Sequence, residues 1–289
     1  MTTASNASRP FHPTSAGMLL RQWREIRGKP QLELALDTGI SQKHVSFVET
    51  GRSTPSRQMI IDLADALQIP LRERNAIFLA AGYAPVYRDD PLDAASMQGI
   101  HRAVRRMLQQ HEPFPAIAMD RYWNVIETNV SAPAFFNRFI DLSRHPRPRN
   151  LLHLMFDPKG MRPFLLHWEE TARSLLGRVR REAIGHVPDE RTQTLIAELI
   201  AYPDVPQDPH SGPAPDALPM IPLRFRAGRH TLNLFSMIST VGTPQTVTAE
   251  EIRIETMFPA DDQTESVYPD VMSGNDLAGQ GRPRGPAVS

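Results

Sequence analysis

Cysteine is absent from this 289-residue chain. Its absence excludes disulfides and metal sites built from thiolates, and it makes a reducing compartment the simplest setting. No apolar run reaches the roughly 18 residues that a membrane helix needs, and the first residues lack the apolar stretch of a secretory signal. We therefore expect a cytoplasmic protein that has no contact with a membrane.

The chain also lacks an excess of either charge, because 32 Lys and Arg residues balance 32 Asp and Glu residues. Affinity for nucleic acid must then come from a local patch rather than from the whole surface. Residues 1–88 contain 11 Lys and Arg against 7 Asp and Glu, an excess of +4, and the remainder carries the opposite excess. This distribution favours the amino-terminal part as the place where an anionic partner binds.

Sequence motifs of common enzymes are missing as well. The chain has no G-x-S-x-G, no P-loop and no G-x-G-x-x-G pattern. Its ten histidines form neither an H-x-H nor an H-x-x-x-H pair, and no cysteine supplements them. We predict a protein that is not an enzyme and that holds no metal and no cofactor, although a catalytic triad needs no sequence motif.

The segment from residue 15 to residue 82 has the periodicity of five short helices, after an arm of residues 1–14 that we expect to be disordered. Ser41 and Ser56 stand where helix N-caps are expected, and Gly82 follows the last helix. The predicted helices span about residues 15–27, 30–37, 41–49, 56–68 and 71–81. Leu19, Leu20, Trp23 and Ile26 are predicted inward in the first helix, and Leu32, Ala35 and Leu36 in the second.

The third of these helices carries more polar residues than packing requires. Val45 and Val48 lie three residues apart and predict its buried side, and Gly39 allows the tight turn that sets it across the second helix. A polar helix face fits the DNA major groove, where Gln reads adenine, Lys reaches guanine or phosphate, and Ser reaches either. A plain helical bundle whose polar face is only solvated is the alternative. We predict that double-stranded DNA is bound by Gln31, Ser41, Gln42, Lys43, His44, Ser46, Phe47, Arg52, Ser53, Ser56 and Arg57, of which Gln31 and the last four hold backbone phosphates.

Residues 18–72 resemble the Xre/Cro-type helix-turn-helix of bacterial and phage repressors. The matching positions are Leu34-Ala35, Gly39-Ile40-Ser41, Val45-Ser46, Val48-Glu49, Gly51 and Pro55-Ser56. The resemblance implies five helices with the third in the major groove. It also implies a structural role for Glu49, which we expect to pair with Arg24. Phe47 is unusual on an outer face, and we expect it either to contact a thymine methyl or to cover the domain's own surface.

A linker is expected at residues 83–98 and a second domain at residues 99–268. Apolar residues on both sides of Asp120–Tyr122 predict a hairpin within residues 117–126. Three later strands are predicted at "PLRFRA", "TLNLFSMISTV" and "EIRIETMFP". A turn at "AGRH" joins the first two of these strands. A proline-rich loop covers residues 203–222, and the Gly- and Pro-rich residues 269–289 are predicted to be disordered. Helices are predicted at about residues 99–112, 131–142, 151–156, 163–184 and 190–202.

The second domain resembles the MmyB-like ligand-binding domain of transcriptional regulators. The segments that carry the likeness are "LRERNAIFLAAGYAPVY", "DRYWNVIETN", "NLLHLMFDP" and "HWEETA". The resemblance implies a mainly α protein with an α+β second domain, in which a five-helix DNA-binding domain precedes a PAS-like sheet flanked by helices. It also suggests a small hydrophobic, fatty-acid-like effector in an apolar pocket. Candidate lining residues, each explained equally well as ordinary core, are Met119, Trp123, Phe135, Phe136, Phe139, Met155, Phe156, Trp168, Phe235 and Met237.

Together these features predict a sequence-specific, DNA-binding transcriptional regulator that is associated with the nucleoid. We expect a homodimer, because half-sites one DNA turn apart mirror a twofold axis in the protein. One alternative is a DNA-binding regulator whose second domain only dimerises. A protein-interaction module, or a small enzyme built on a helical bundle, is the other.

Overall fold

The computed structural model describes residues 15–145, 147–185, 189–206 and 223–274. The predictions for residues 1–14, for most of the proline-rich loop and for residues 275–289 lie outside these ranges. The chain divides into two compact units. Among the described residues, those of 15–89 and 244–250 form the amino-terminal unit, and those of 90–243 and 251–274 form the carboxyl-terminal unit. The boundary at residue 89 falls inside the predicted linker.

Five helices lie within residues 15–82, as the sequence predicts. Ser15, Ser41 and Ser56 cap three of them, because each serine hydroxyl accepts a hydrogen bond from a backbone N–H of the first turn. Gly39 ends the second helix with a φ of 68°, a left-handed conformation that glycine adopts without strain. The helices are α1 (Ala16–Ile26), α2 (Gln31–Thr38), α3 (Gln42–Glu49), α4 (Arg57–Ala66) and α5 (Leu71–Ala80).

The core of the amino-terminal unit departs from the sequence prediction along α2. Leu34 and Ala35 are buried there, whereas Leu32 and Leu36 are 55% and 75% exposed. The helix is therefore turned about its axis relative to the predicted i, i+3, i+4 stripe. Ile26 at the end of α1 is also exposed rather than inward. The large residues that fill this core are Leu20, Trp23, Val45, Val48, Ile60, Leu63, Leu67, Ile77 and Phe78.

The carboxyl-terminal unit is built on a five-stranded antiparallel sheet whose strand order is β2-β1-β5-β4-β3. Both predicted hairpins are present, since β1 pairs with β2, and β3 pairs with β4 across the turn from Ala227 to His230. This arrangement confirms the expected sheet with flanking helices. The strands are β1 (Ala116–Met119), β2 (Val125–Thr128), β3 (Leu223–Ala227), β4 (His230–Ser239) and β5 (Arg253–Pro259).

Seven further α-helices lie in the described part of the chain. They are α6 (Gln98–Gln110), α7 (Ser131–Asn137), α8 (Leu151–Phe156), α9 (Trp168–Gly185), α10 (Glu190–Ile200), α11 (Val247–Glu251) and α12 (Asp262–Ser273). In the part of the chain that the structure describes, no helix is both long and apolar enough to span a membrane.

Two helix boundaries correct the sequence predictions. The long helix begins at Trp168 rather than at residue 163, because residues 162–164 form a separate 3-10 turn containing Pro163 and Leu165 then bridges to Phe225 of β3. Residues 269–273 are not disordered, because α12 continues through Pro269 to Ser273. The buried side chains of Tyr268 and Val271 hold this last turn against the unit.

Candidate nucleic-acid interface

Helix α3 has one buried side and one exposed side, as the sequence predicts. Val45 and Val48 are each only 1% exposed, and both point into the core of the amino-terminal unit. The polar residues from Ser41 to His44 are exposed, and Ser46 and Phe47 are half-buried. The chain thus presents a row of donors and acceptors on a helix whose opposite side is fixed by packing.

Helix α1 fixes α3 through a close backbone approach. A Cβ atom added at Gly17 would lie 1.9 Å from the carbonyl oxygen of Val48. No side chain fits at that distance, so glycine is required for the two helices to cross there. The crossing determines how far the polar side of α3 projects from the unit.

A buried ion pair ties the end of α3 to α1, as expected from the resemblance. The Arg24 guanidinium donates through Nε to Glu49 Oε1 at 2.6 Å and through Nη2 to Glu49 Oε2 at 3.0 Å. Its Nη1 donates to the carbonyl of Lys29 at 2.9 Å, so three donors of the fork are engaged. Glu49 is 5% exposed, and its hydrogen bond is the main cause that raises the pKa of Arg24. Glu49 therefore has a structural role, and it presents no carboxylate to a groove.

Gln31 lies on the same network. Its Nε2 donates to Glu49 Oε2 at 2.7 Å, and the side chain is half-buried at the start of α2. The sequence prediction assigned Gln31 to a backbone phosphate and did not foresee this partner. The amide is held by Glu49, and a phosphate contact from the same group stays a prediction.

The chain reverses after α3 through a Schellman motif. Gly51 adopts a φ of 73°, the N–H of Gly51 donates to the carbonyl of Val48 at 3.0 Å, and the N–H of Arg52 donates to the carbonyl of Phe47 at 2.8 Å. Ser53 also donates its N–H to the carbonyl of Phe47, at 3.1 Å. The reversal therefore brings Arg52 and Ser53 beside the outer side of α3.

The start of α4 supplies the last two predicted contacts. Ser56 and Arg57 are both exposed, and the Ser56 hydroxyl accepts from the N–H of Met59 at 3.2 Å. The Arg57 guanidinium lies 5.5 Å from the ring centroid of Tyr83 and donates to the carbonyl of Ala84 at 3.3 Å. Arg57 is thus held by the chain after α5, which the sequence did not indicate.

The ten residues predicted to line an effector pocket fall into two groups in the structure. Six candidates belong to the core of the carboxyl-terminal unit, namely Met119, Trp123, Phe135, Phe136, Met155 and Phe156, and Phe139 and Trp168 pack partly buried against it. These eight lie together, although the sequence places them on several separate elements.

Phe235 and Met237 do not belong to this group. Leu232 and Leu234 of β4 face the core, so the alternation of the strand points Phe235 and Met237 to the opposite side of the sheet. Phe235 stacks on Phe258 with ring centroids 5.4 Å apart, and Met237 is 57% exposed. The prediction was wrong for these two because "TLNLFSMISTV" is apolar at both sets of alternate positions, which leaves its core side undefined.

Sequence reasoning missed a polar group within this core. Glu255 is 3% exposed, and its Oε1 lies 3.5 Å from Nη1 of Arg178 on α9. The same guanidinium lies 4.2 Å from the ring centroid of Trp123. Oε2 of Glu255 has no hydrogen-bond partner among the described residues. The alternation of β5 places Glu255 on the side of buried Met257, but nothing in the sequence says which side of β5 is the core.

Comparison with known proteins agrees with both units. The helix-turn-helix family matches residues 20–74, so the fold and the exposed α3 define a DNA-binding transcriptional regulator. The family described as the MmyB-like transcription regulator ligand binding domain matches residues 100–268, which is more than half of the chain. The chain therefore belongs to the MmyB-like transcription regulators.

Other comparisons add little. No curated protein matches the chain. Among solved structures, one titled as an RNA-binding light-oxygen-voltage receptor aligns at 11% identity over 95% of this chain and 68% of its own, with a TM-score of 0.26. A similarity this weak is not evidence of a shared fold or function.

Proposed function

We propose that this regulator recognises a specific DNA sequence by placing α3 in the major groove. The observation that carries the proposal is the exposed polar side of α3 above buried Val45 and Val48. An α-helix fits the width of the major groove, and the side chains at the start of a recognition helix meet the base edges. The buried side of α3 and its crossing with α1 keep this surface rigid.

The roles of the side chains follow from their chemistry and their place on α3. Gln42 is suited to pair bidentately with adenine, and Lys43 reaches guanine or a phosphate. Ser41, His44 and Ser46 supply further contacts to base edges or backbone. The Ser41 hydroxyl accepts from the N–H of His44 at 3.2 Å and so keeps its own proton for an acceptor on DNA.

Phosphates flank this surface in the proposed complex. Arg52 and Ser53, placed by the Schellman motif, and Ser56 and Arg57, at the start of α4, are the positions that meet them. Such contacts fix the register of the protein on the duplex without reading its sequence. The regulator is proposed to act as a homodimer on two half-sites, to be cytoplasmic and nucleoid-associated, and to have no enzymatic activity.

The second part of the proposal concerns the carboxyl-terminal unit. The match to a ligand binding domain and the eight clustered apolar candidates support a small hydrophobic, fatty-acid-like effector there. Such a molecule regulates DNA binding only if it has unequal affinity for two arrangements of the protein. The alternative is a unit that dimerises and binds no effector.

A salt titration tests the DNA-binding proposal. Binding through Z phosphates gives a plot of log K against log salt with a slope of about −0.9Z. Arg52 and Arg57 are the cations proposed at phosphates in each protomer, so a dimer neutralises at least four phosphates, and we expect a slope of about −3.6 or steeper for the full-length protein. A flat slope, or no binding at low salt, would contradict the proposal and favour a protein-interaction module or an enzyme.

Native mass spectrometry of the gently purified protein tests the effector. The expected result is an added mass that organic extraction removes, together with the mass of a dimer. A variant with Phe135→Trp, which fills core space with a larger ring, should carry less of this mass, whereas Met237→Leu on the outer side of the sheet should carry as much as the wild type. A dimer without added mass, in the presence of excess long-chain fatty acid, would support the alternative in which the unit only dimerises.

A further inference from the structure

Phe47 occupies an unusual place on α3, since it is a half-buried aromatic ring on the outer side of the helix. Lys43 stands one turn before it, with its Nζ 5.5 Å from the ring centroid. Arg52 follows the helix, with its Cζ 5.8 Å from the same centroid. Both distances lie within the range of about 6 Å in which an aromatic ring attracts a cation.

The backbone enforces the second of these contacts. In a Schellman motif the residue at the third position before the cap commonly contacts the residue two after it. Here those residues are Phe47 and Arg52, whose backbones are joined by the 2.8 Å hydrogen bond from the N–H of Arg52. The stem and guanidinium of Arg52 thus lie where an apolar residue ordinarily covers the helix end.

Within the described residues neither cation forms an ion pair with a carboxylate, and the nearby Glu49 is buried and bound by Arg24 and Gln31. The two charges therefore stay available to an outside anion. A long cationic side chain that is already oriented loses less conformational entropy when it meets its partner.

We infer that Phe47 is a positioning residue, whose ring holds Lys43 and Arg52 as a pair of cations directed at the DNA backbone. The inference rests on the proposed function, and it gives Phe47 a role other than reading a thymine methyl. The two roles differ in one respect. A residue that positions phosphate contacts changes the affinity for every sequence alike, whereas a residue that contacts a thymine methyl changes it only where thymine is present.

The test compares Phe47→Leu and Phe47→Tyr on two duplexes, one selected by the wild-type protein and one unrelated. Leucine keeps an apolar contact at the helix end but has no ring, and tyrosine keeps the ring. We expect Phe47→Leu to lose roughly 4- to 25-fold in affinity on both duplexes, from two contacts that are each worth a factor of about 2 to 5. We expect its salt slope to be shallower, and Phe47→Tyr to stay within about twofold of the wild type.

Other outcomes are distinguishable. Equal binding by wild type and Phe47→Leu on both duplexes, or a loss confined to the selected duplex, would overturn the inference and leave the proposed function standing. A wild-type protein that binds neither duplex would instead overturn the proposed function. Thermal unfolding checks each variant, and Phe47→Met serves as a second ringless variant should Phe47→Leu not fold.

Discussion

At the scale of single residues, the amino-terminal unit separates side chains that hold α3 from side chains that face outward. Arg24 and Glu49 belong to the first kind, and Gln42 and Lys43 belong to the second. The two kinds are close in sequence, so only burial tells them apart. Variants of the first kind should change stability, and variants of the second kind should change DNA binding.

Arg24→Leu should destabilise the amino-terminal unit by about 3 kcal/mol, because it leaves the Glu49 carboxylate buried without its cation. This loss in the free energy of unfolding is at the lower end of the range for breaking a buried ion pair, since Gln31 still donates a hydrogen bond to the Glu49 carboxylate. Chemical denaturation monitored by circular dichroism measures it. Arg21→Leu is the matched control on the same helix, since Arg21 pairs with Glu25 in solvent and should unfold with the wild type. Equal stability of the two variants would show that the buried pair contributes little.

Tyr268 of α12 offers a test by pH. Its hydroxyl is buried with no hydrogen-bond partner among the described residues, and burial raises the pKa of this phenol above its ordinary value of about 10. The pKa of Tyr268 is higher in the folded protein than in the unfolded protein. The contribution of the neutral phenol to the free energy of unfolding is therefore complete below pH 10 and declines as the pH rises further. Tyr268→Phe should remove this alkaline loss and raise the free energy of unfolding at pH 7 by about 1–3 kcal/mol, because no unpartnered hydroxyl is then buried. Identical alkaline unfolding of the variant and the wild type would rule this cause out.

At the scale of elements, the crossing of α1 and α3 depends on Gly17. Gly17→Ala should destabilise the amino-terminal unit by about 1–3 kcal/mol, because the added methyl meets the Val48 carbonyl. Gly99→Ala in α6 is the matched control, since nothing lies within 4 Å of the added atom, and it should be neutral or slightly stabilising. Thermal unfolding of both variants measures the difference. A Gly17→Ala protein as stable as Gly99→Ala would mean that the helices cross with more space than the structure shows.

How much of the fold could be predicted from the sequence also depends on the element. The five amino-terminal helices and both hairpins were predicted, because caps, a turn glycine and local periodicity determine them. The side that an element turns inward was less predictable. Leu36 of α2 and Phe235 of β4 were misplaced, since both are apolar residues on elements whose inward side is chosen by distant partners.

The candidate site likewise has a part that the sequence predicts and a part that it does not. The outer side of α3 was predictable because it follows from eight consecutive residues and one glycine. The partner of Gln31 and the buried Glu255 were not predictable, because each depends on residues far away in sequence that only the folded chain brings near. Long-range contacts of this kind leave no local pattern.

At the scale of the whole molecule, the proposal requires two copies of the chain for one operator. We expect sedimentation to show one dimer for each selected duplex, with half-sites whose centres lie 10 to 10.5 base pairs apart or a multiple of this. The reason is that a twofold protein matches a twofold site one helical turn of DNA apart. A duplex with a single half-site should bind much more weakly. A monomer bound with equal affinity to one half-site would contradict the proposed assembly.

The most direct measurement is a selection of bound duplexes from a random library, made in parallel with the wild-type protein and with the Gln42→Ala and Arg52→Ala variants. The wild type should enrich one motif, and Gln42→Ala should lose the preference at one base pair of each half-site, at a cost of roughly 1–3 kcal/mol on the wild-type motif. Arg52→Ala should enrich the same motif with weaker binding throughout. An unchanged motif for Gln42→Ala, or no enrichment by the wild type at low salt, would contradict the claim that the outer side of α3 reads DNA.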